Sequence, residues 1–94
     1  MATYAELMTA VIQKHIQIMG AKPAVAIARR VQEIRVSDDG KVTRGASKDT
    51  FELLLNAYKD ISGPISLFFA KQAVTPILDG DEDLPQELKS TPLL

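Results

Sequence analysis

The 94-residue sequence predicts one mainly α-helical domain, with four helices arranged as two αα-hairpins joined by a short β-hairpin. Three observations predict this fold. Apolar residues recur with the helical period in four segments, and a glycine separates the two helices of each pair. Between the pairs, an Asp-Gly turn lies between two short alternating segments. We expect the helical domain to span residues 1–78, and residues 79–94 to form an acidic, proline-containing, disordered tail.

The first helix is predicted from Tyr4 to about Met19, because Thr3 and Glu6 have the spacing of a capping box. Its apolar face holds Tyr4, Leu7, Met8, Val11, Ile12, His15, Ile18 and Met19. Gly20 follows in the position where a helix commonly ends. Pro23 suits the first turn of the second helix. That helix carries a narrower apolar stripe of Ala24, Ile27, Ala28, Val31 and Ile34.

A β-hairpin is predicted after the second helix, because apolar and polar residues alternate in segments 34–36 and 41–43. Asp39 and Gly40 indicate a two-residue turn in which both central residues adopt positive φ. An isolated hairpin is barely stable in water. We therefore expect it to pack on the helices or to pair with another chain.

The third helix has two candidate N-caps, Ser47 and Asp49, and Glu52 stands at capping-box spacing from Asp49. Gly63 is expected to end this helix, Pro64 to begin the fourth, and Pro76 to bend or stop the fourth. The apolar face of the third helix holds Phe51, Leu54, Leu55, Tyr58 and Ile61, widened by Leu53 and Ala57. The fourth helix carries Ile65, Leu67, Phe69, Ala70, Ala73 and Val74, with Phe68 beside them.

The two helix pairs align when the sequence is shifted by 43 residues, so that His15 meets Tyr58 and Gly20 meets Gly63. The alignment has four identities in 27 positions. Any two amphipathic helical hairpins place apolar residues on apolar residues in this way, because the helical period is the same in both. The pattern therefore predicts a possible internal pseudo-repeat and leaves open whether the chain arose by duplication.

Composition excludes several classes of function. The chain has no cysteine and one histidine, which excludes disulfides, thiolate sites and a metal site of several histidines within one chain. No apolar run has the length of a membrane span, so we expect no membrane association and a cytoplasmic location. The carboxylates adjacent to each other lie in the hairpin turn and the tail, and no nucleophile has an evident base. We therefore expect no enzyme activity and no cofactor.

His15 is the titratable residue on the apolar face of the first helix. The simpler interpretation is a core residue whose ring fills space while one nitrogen meets a carbonyl oxygen or Tyr58. The alternative is an axial ligand to a cofactor held between helices. No second strong ligand accompanies His15, because the nearby Met8 and Met19 more often fill core space.

The middle of the chain is basic, since residues 22–48 hold seven Lys or Arg against three Asp or Glu, a net charge of +4. The candidate basic patch is Arg29, Arg30, Arg35, Lys41 and Arg44. Clustered arginine favours phosphate binding. The acidic pI of about 5.7 and the scarcity of aromatic residues argue against a nucleic-acid partner.

The remaining class is a non-catalytic protein-interaction or regulatory module. The third and fourth helices are apolar across about 200°, whereas a surface helix of a monomer needs little more than about 100°. This width predicts a homodimer, or association with another protein, through an interface that includes Leu53, Leu67 and Phe68. Two other functions stay open: a helical sensor with a small apolar ligand or cofactor between helices, and a nucleic-acid-binding regulator that uses the basic segment 22–48.

Overall fold

The computed structural model describes residues 1–93. It is mainly helical with a small two-stranded antiparallel sheet, which confirms the predicted fold class. The elements in chain order are α1 (Tyr4–Met19), α2 (Ala21–Ala28), β1 (Arg35–Val36), β2 (Val42–Arg44), α3 (Lys48–Ser62), α4 (Ile65–Val74), a 3-10 turn (Thr75–Ile77) and α5 (Gln86–Lys89). The short helix α5 lies beyond the four predicted helices.

Helix α1 has the predicted bounds. The Thr3 hydroxyl accepts a hydrogen bond from the Glu6 N–H at 3.1 Å, and the Glu6 carboxylate accepts one from the Thr3 N–H at 3.0 Å. Gly20 adopts a φ of +92° and donates its N–H to the Ile16 carbonyl at 2.9 Å. Because Gly20 also precedes the first residue of α2, the two helices join with a single residue between them.

Helix α2 is shorter than its apolar stripe predicts, because it ends at Ala28. The chain then tightens into successive turns, in which the Arg30 N–H bonds the Ile27 carbonyl and the Val31 N–H bonds the Ala28 carbonyl. These turns keep Val31 buried without a further helical turn. Helical periodicity therefore persists in the sequence beyond the helix itself.

The β-hairpin forms, with a different turn from the one predicted. Gly40 has a φ of +89°, and no residue other than glycine has a positive φ among residues 1–93. The Gly40 N–H bonds the Ser37 carbonyl at 2.9 Å, so Asp38 and Asp39 form a turn that Gly40 closes. The Thr9 hydroxyl accepts a hydrogen bond from the Val42 N–H at 3.0 Å, which holds the hairpin on α1.

Ser47, rather than Asp49, caps α3. The Ser47 hydroxyl accepts from the Thr50 N–H at 3.0 Å, and the Thr50 hydroxyl accepts from the Ser47 N–H at 2.9 Å. The Thr50 hydroxyl also lies 2.8 Å from the Gly45 carbonyl oxygen, to which it donates. At the other end, the Gly63 N–H bonds the Lys59 carbonyl at 2.7 Å, with φ +77°.

Helices α1 and α3 run side by side in the same direction. Near their starts the rings of Tyr4 and Phe51 are 6.5 Å apart, and near their ends the rings of His15 and Tyr58 are 3.7 Å apart. The five buried residues of α1 each have a buried counterpart 43 positions later in α3. These pairs are Leu7 and Thr50, Met8 and Phe51, Val11 and Leu54, Ile12 and Leu55, and His15 and Tyr58. The 43-residue similarity therefore extends to burial for α1 and α3, whereas only Ile27 of the four buried residues of α2 has a buried counterpart, Ala70, in α4.

Residues 84–91 pack against the helices, which differs from the disordered tail expected for 79–94; Leu94 lies outside the described residues. Leu84, which precedes α5, and Leu88, which lies within it, are both buried, and the Tyr4 hydroxyl donates to the Asp83 carbonyl at 2.7 Å. The Lys71 ammonium donates to the Leu88 carbonyl at 3.2 Å. Helix α5 has four residues, too few for a periodic pattern to reveal its apolar side.

Hydrogen bonds and ion pairs join the acidic residues of this segment to the rest of the chain. The Glu82 carboxylate accepts from the backbone N–H groups of Ala2 and Asp79 at 3.0 Å, and these bonds lower the pKa of Glu82 to about 2. Asp83 pairs with the Lys48 ammonium at 2.9 Å, which lowers the pKa of the Asp83 carboxyl. These contacts hold the acidic segment against the starts of α1 and α3.

Candidate functional site

His15 lies at the centre of the core, with 1% of its surface exposed. Its ring stacks on Tyr58 with 3.7 Å between the ring centroids and an angle of 8° between the planes, and the Phe69 ring is nearly perpendicular to it with a centroid distance of 6.2 Å. The Nδ1 atom is 2.8 Å from the Val11 carbonyl oxygen. Because a carbonyl oxygen only accepts, Nδ1 carries the proton and Nε2 has a bare lone pair. His15 thus occupies the core position expected for it.

The Nε2 atom of His15 has no hydrogen-bond partner in the described part of the chain, although it is buried. Burial without a partner disfavours the charged imidazolium and lowers the pKa of His15. Tyr58 donates its hydroxyl to the Ala24 carbonyl at 2.8 Å, and burial raises the pKa of that phenol well above its ordinary value. The stacked pair is therefore held neutral near pH 7.

The surroundings of His15 leave little access to Nε2. His15 has 1% of its surface exposed and lines none of five surface grooves of 250 to 440 Å³ within residues 1–93. Within the same residues, no group of three or more His, Cys, Asp or Glu is placed to hold a metal ion. A ligand at Nε2 would therefore have to displace packed side chains of the core.

The three predicted interface residues differ in exposure. Leu53 is 43% exposed and lines a groove of about 360 Å³ together with Arg30, Asn56 and Asp60. Phe68 is half-buried, and Leu67 is half-buried and packs against the core. Leu53 therefore faces the connection after α2, whereas part of the Leu67 side chain is already buried against the core of its own chain.

A more exposed apolar surface lies at the end of the bundle where α1 and α3 finish. Ile61 and Ile65, on either side of Gly63, are 57% and 52% exposed, and Ile18 in the last turn of α1 is 45% exposed. We call these three isoleucines the end patch. The sequence placed Ile18, Ile61 and Ile65 on core faces, because periodicity cannot show where the neighbouring helices stop covering a stripe.

The basic patch does not act as one free cluster. The Arg29 guanidinium donates to the Val36 carbonyl at 2.8 and 3.1 Å and to the Asp38 carboxylate at 3.0 Å, so it ties the hairpin to α2. Arg30, Arg35, Lys41 and Arg44 are exposed. Arg35 and Arg44 are opposed partners in the antiparallel ladder. Arg29 therefore has a structural role in holding the hairpin, whereas the other four residues of the basic patch are exposed to solvent.

Comparisons with protein-family models, with curated proteins and with solved structures found no match to this chain. Among residues 1–93, no helix combines the length and apolar character needed to cross a membrane.

Proposed function

We propose that this chain is a non-catalytic interaction module that self-associates through α3 and α4, with the end patch at the contact. The exposure of Ile61, Ile65 and Ile18 at one end of the bundle supports the proposal. A single exposed isoleucine needs no explanation, but neighbouring exposed apolar residues are typical of interaction surfaces. Covering them with another protein surface would remove this apolar area from water.

The end patch favours a second copy of this chain as the partner, because the residues next to its isoleucines in sequence are mostly uncharged. Segments 17–21 and 61–65 contain no Lys, Arg, Asp or Glu. Two identical surfaces of this kind meet without like-charge repulsion, whereas a charged surface would need an opposite charge on its partner. A two-fold dimer brings the same patch of both copies together, so a neutral apolar patch is self-complementary.

The proposal retains the strip of Leu53, Leu67 and Phe68 as the other candidate contact on the same two helices. Leu53 is less exposed than Ile61, and Leu67 already packs within its own chain. Less apolar area is therefore available there for burial against a partner. Because the end patch has more exposed apolar area, it is the preferred candidate for the contact between two copies.

Sedimentation equilibrium at about tens of micromolar protein tests the proposal, because a chain of 10.3 kDa that dimerises with micromolar affinity is mostly paired at that concentration. We expect twice the chain mass for the wild type and a monomer for Ile61→Glu with Ile65→Glu. Ile77→Glu is the matched control, since Ile77 is 40% exposed on the 3-10 turn. It should remain dimeric.

A wild-type mass of one chain would end the proposal of self-association. If Leu53→Glu with Phe68→Glu gives the monomer and the end-patch variant stays dimeric, the strip is the contact and the end patch is not. Circular dichroism of each variant must show wild-type helicity, because these substitutions lie on exposed or half-buried positions and should not unfold the chain.

The second candidate is a helical sensor, supported by the buried and unpartnered Nε2 of His15. Such a nitrogen can ligate a metal or accept a hydrogen bond from a bound molecule. Native mass spectrometry of the purified chain tests it. A bound mass that His15→Phe abolishes supports the sensor, and the bare chain mass in the wild type contradicts it.

A further inference from the structure

The β-hairpin presents two arginines side by side to solvent. Val36 and Val42 are paired across the ribbon, and both are buried against the helices. Arg35 and Arg44 form the other pair, and both are exposed; the register shifts between the two pairs, because Thr43 lies as an extra residue between Val42 and Arg44. Cα atoms of directly opposed residues lie about 4.5–5.5 Å apart in an antiparallel ladder. The two exposed arginine side chains therefore start from neighbouring points on the ribbon.

In the described part of the chain, no ion pair neutralises these two arginines. Among residues 1–93, no hydrogen bond or ion pair engages the side chain of Arg35 or Arg44. The acidic residue nearest in sequence to Arg35 is Glu33, which is exposed and forms no ion pair there. Asp38 pairs with Arg29. The acidic segment 79–87 is held elsewhere, since Asp83 pairs with Lys48 and Lys89.

Like charges directly opposed across a ladder destabilise a sheet. A two-stranded ribbon is weak already, so the position of two arginines at this pair works against folding. An anion placed between the two guanidinium groups would reverse that effect. A guanidinium is planar and presents paired N–H donors that match the oxygens of a phosphate group.

The shape of the surface favours a polymer of phosphates over a small anion. Arg35 and Arg44 are both exposed on a two-stranded ribbon, so a single phosphate would be held on an open face. Arg30 and Lys41 add exposed positive charge within the same segment. A chain of phosphates can contact several such groups and gain from the release of counterions.

The same face is poorly suited to an acidic peptide. Peptide-binding ribbons and sheet edges usually provide pockets for alternate side chains. Here the exposed ribbon residues are Arg35, Thr43 and Arg44, and the two valines are turned inward. No exposed apolar residue of the two strands is available to seat a peptide side chain.

We propose that the outer face of the hairpin binds the phosphate backbone of a nucleic acid through Arg35 and Arg44, without reading its sequence. Phosphate contacts carry no base information, and no strand residue here is aromatic. This site is separate from the end patch, so it stands or falls independently of self-association.

Fluorescence anisotropy with a labelled single-stranded oligonucleotide of mixed sequence tests the proposal at several salt concentrations. We expect Arg35→Gln with Arg44→Gln to weaken binding by about tenfold or more at low salt. The slope of log K against log salt should fall by about 1.4, since each lost phosphate contact removes about 0.7 on a single strand. Lys14→Gln with Lys22→Gln is the control, because it removes the same charge from residues outside the hairpin.

The thermal midpoint provides a second measurement. Because the substitution removes a like-charge pair, the Arg35→Gln and Arg44→Gln variant should melt at or above the wild-type temperature. Loss of binding therefore cannot result from unfolding. A lower midpoint would show that the two arginines stabilise the ribbon, which contradicts the proposal.

Three other results would overturn it. The first is a wild type that binds no oligonucleotide at low salt. The second is a lysine control that loses as much affinity as the arginine variant, which would indicate diffuse attraction. The third is competition by polyglutamate as effective as that by the oligonucleotide at equal charge, which would assign the surface to an acidic protein partner. Effective competition by mixed-sequence duplex or RNA, with little effect of polyglutamate, supports a phosphate-backbone site.

Discussion

Substitution of Leu88 by alanine tests whether residues 84–91 belong to the folded core. Leu88 is fully buried, and Leu84 and Thr91 on either side of it are buried as well. The Leu88 carbonyl accepts a hydrogen bond from Lys71, so α5 is attached to α4 through both backbone and side chain. Alanine retains the backbone and the helical propensity of α5 while it removes most of the apolar contact.

The expected cost follows from the burial of this side chain. Leu→Ala substitutions in well-packed cores cost about 2–5 kcal/mol, and the cost is smaller where the surroundings can relax into the cavity. Helix α5 is a short element beyond the four long helices, so we expect its surroundings to relax into the cavity that the substitution leaves. The expected loss in the free energy of unfolding is therefore about 2–3 kcal/mol, at the lower end of that range. For a domain of this size, 1 kcal/mol shifts the thermal midpoint by about 4–8 °C. The midpoint should therefore fall by roughly 10–20 °C.

Thermal unfolding followed by circular dichroism measures the shift, with Gln86→Ala as the matched control. Gln86 is exposed in the same short helix, and an exposed substitution of this kind changes stability by at most about 0.5 kcal/mol. A fall of less than about 5 °C for Leu88→Ala, or one no larger than that of the control, would show that α5 is not docked in solution. The disordered segment expected from the sequence would then be correct.

Two further predictions concern His15 and the glycines. Burial lowers the folded pKa of His15 below the unfolded value of about 6.5, so its contribution to stability is present above that value and is lost as pH falls toward the folded pKa. In urea unfolding between about pH 5 and 7, His15→Phe should flatten the pH dependence, and an unchanged profile would contradict a buried neutral imidazole. Gly45→Ala should destabilise the chain more than Gly63→Ala. Both have positive φ, which costs an alanine about 1–2 kcal/mol, but a Cβ at Gly45 also collides with the Glu33 carbonyl, whereas nothing lies within 4 Å at Gly63. If chemical denaturation shows that the two variants lose the same free energy of unfolding, the close approach of Gly45 to the Glu33 carbonyl is refuted.

The sequence alone determined the elements whose signals are local. Thr3 with Glu6 marks the start of α1, and Gly20 and Gly63 mark the ends of α1 and α3, because caps and positive φ depend on a few adjacent residues. The burial of His15 also follows from its position on a periodic apolar face. The class of the fold follows from the order of these elements along the chain.

The candidate surfaces depended on long-range contacts that no local pattern contains. Periodicity marks Ile18 and Ile61 as apolar positions, yet their exposure depends on where the other helices end. The sequence of the basic segment shows how many arginines are present, but not which residues they contact. The register of the β-ladder pairs Arg35 with Arg44, and the position of the hairpin brings the Val36 carbonyl to the Arg29 guanidinium.

The end of α2 and the docking of α5 were decided by tertiary structure for the same reason. Val31 continues the apolar stripe of α2, but it lies in a turn beyond the end of that helix. Its side chain is still buried, because burial depends on where the side chain lies in the core and not on a helical backbone. Leu84 and Leu88 are two apolar residues among charges and prolines, which gives no period to detect. Their burial requires the surface that the four long helices create together, and that surface exists only once the chain has folded.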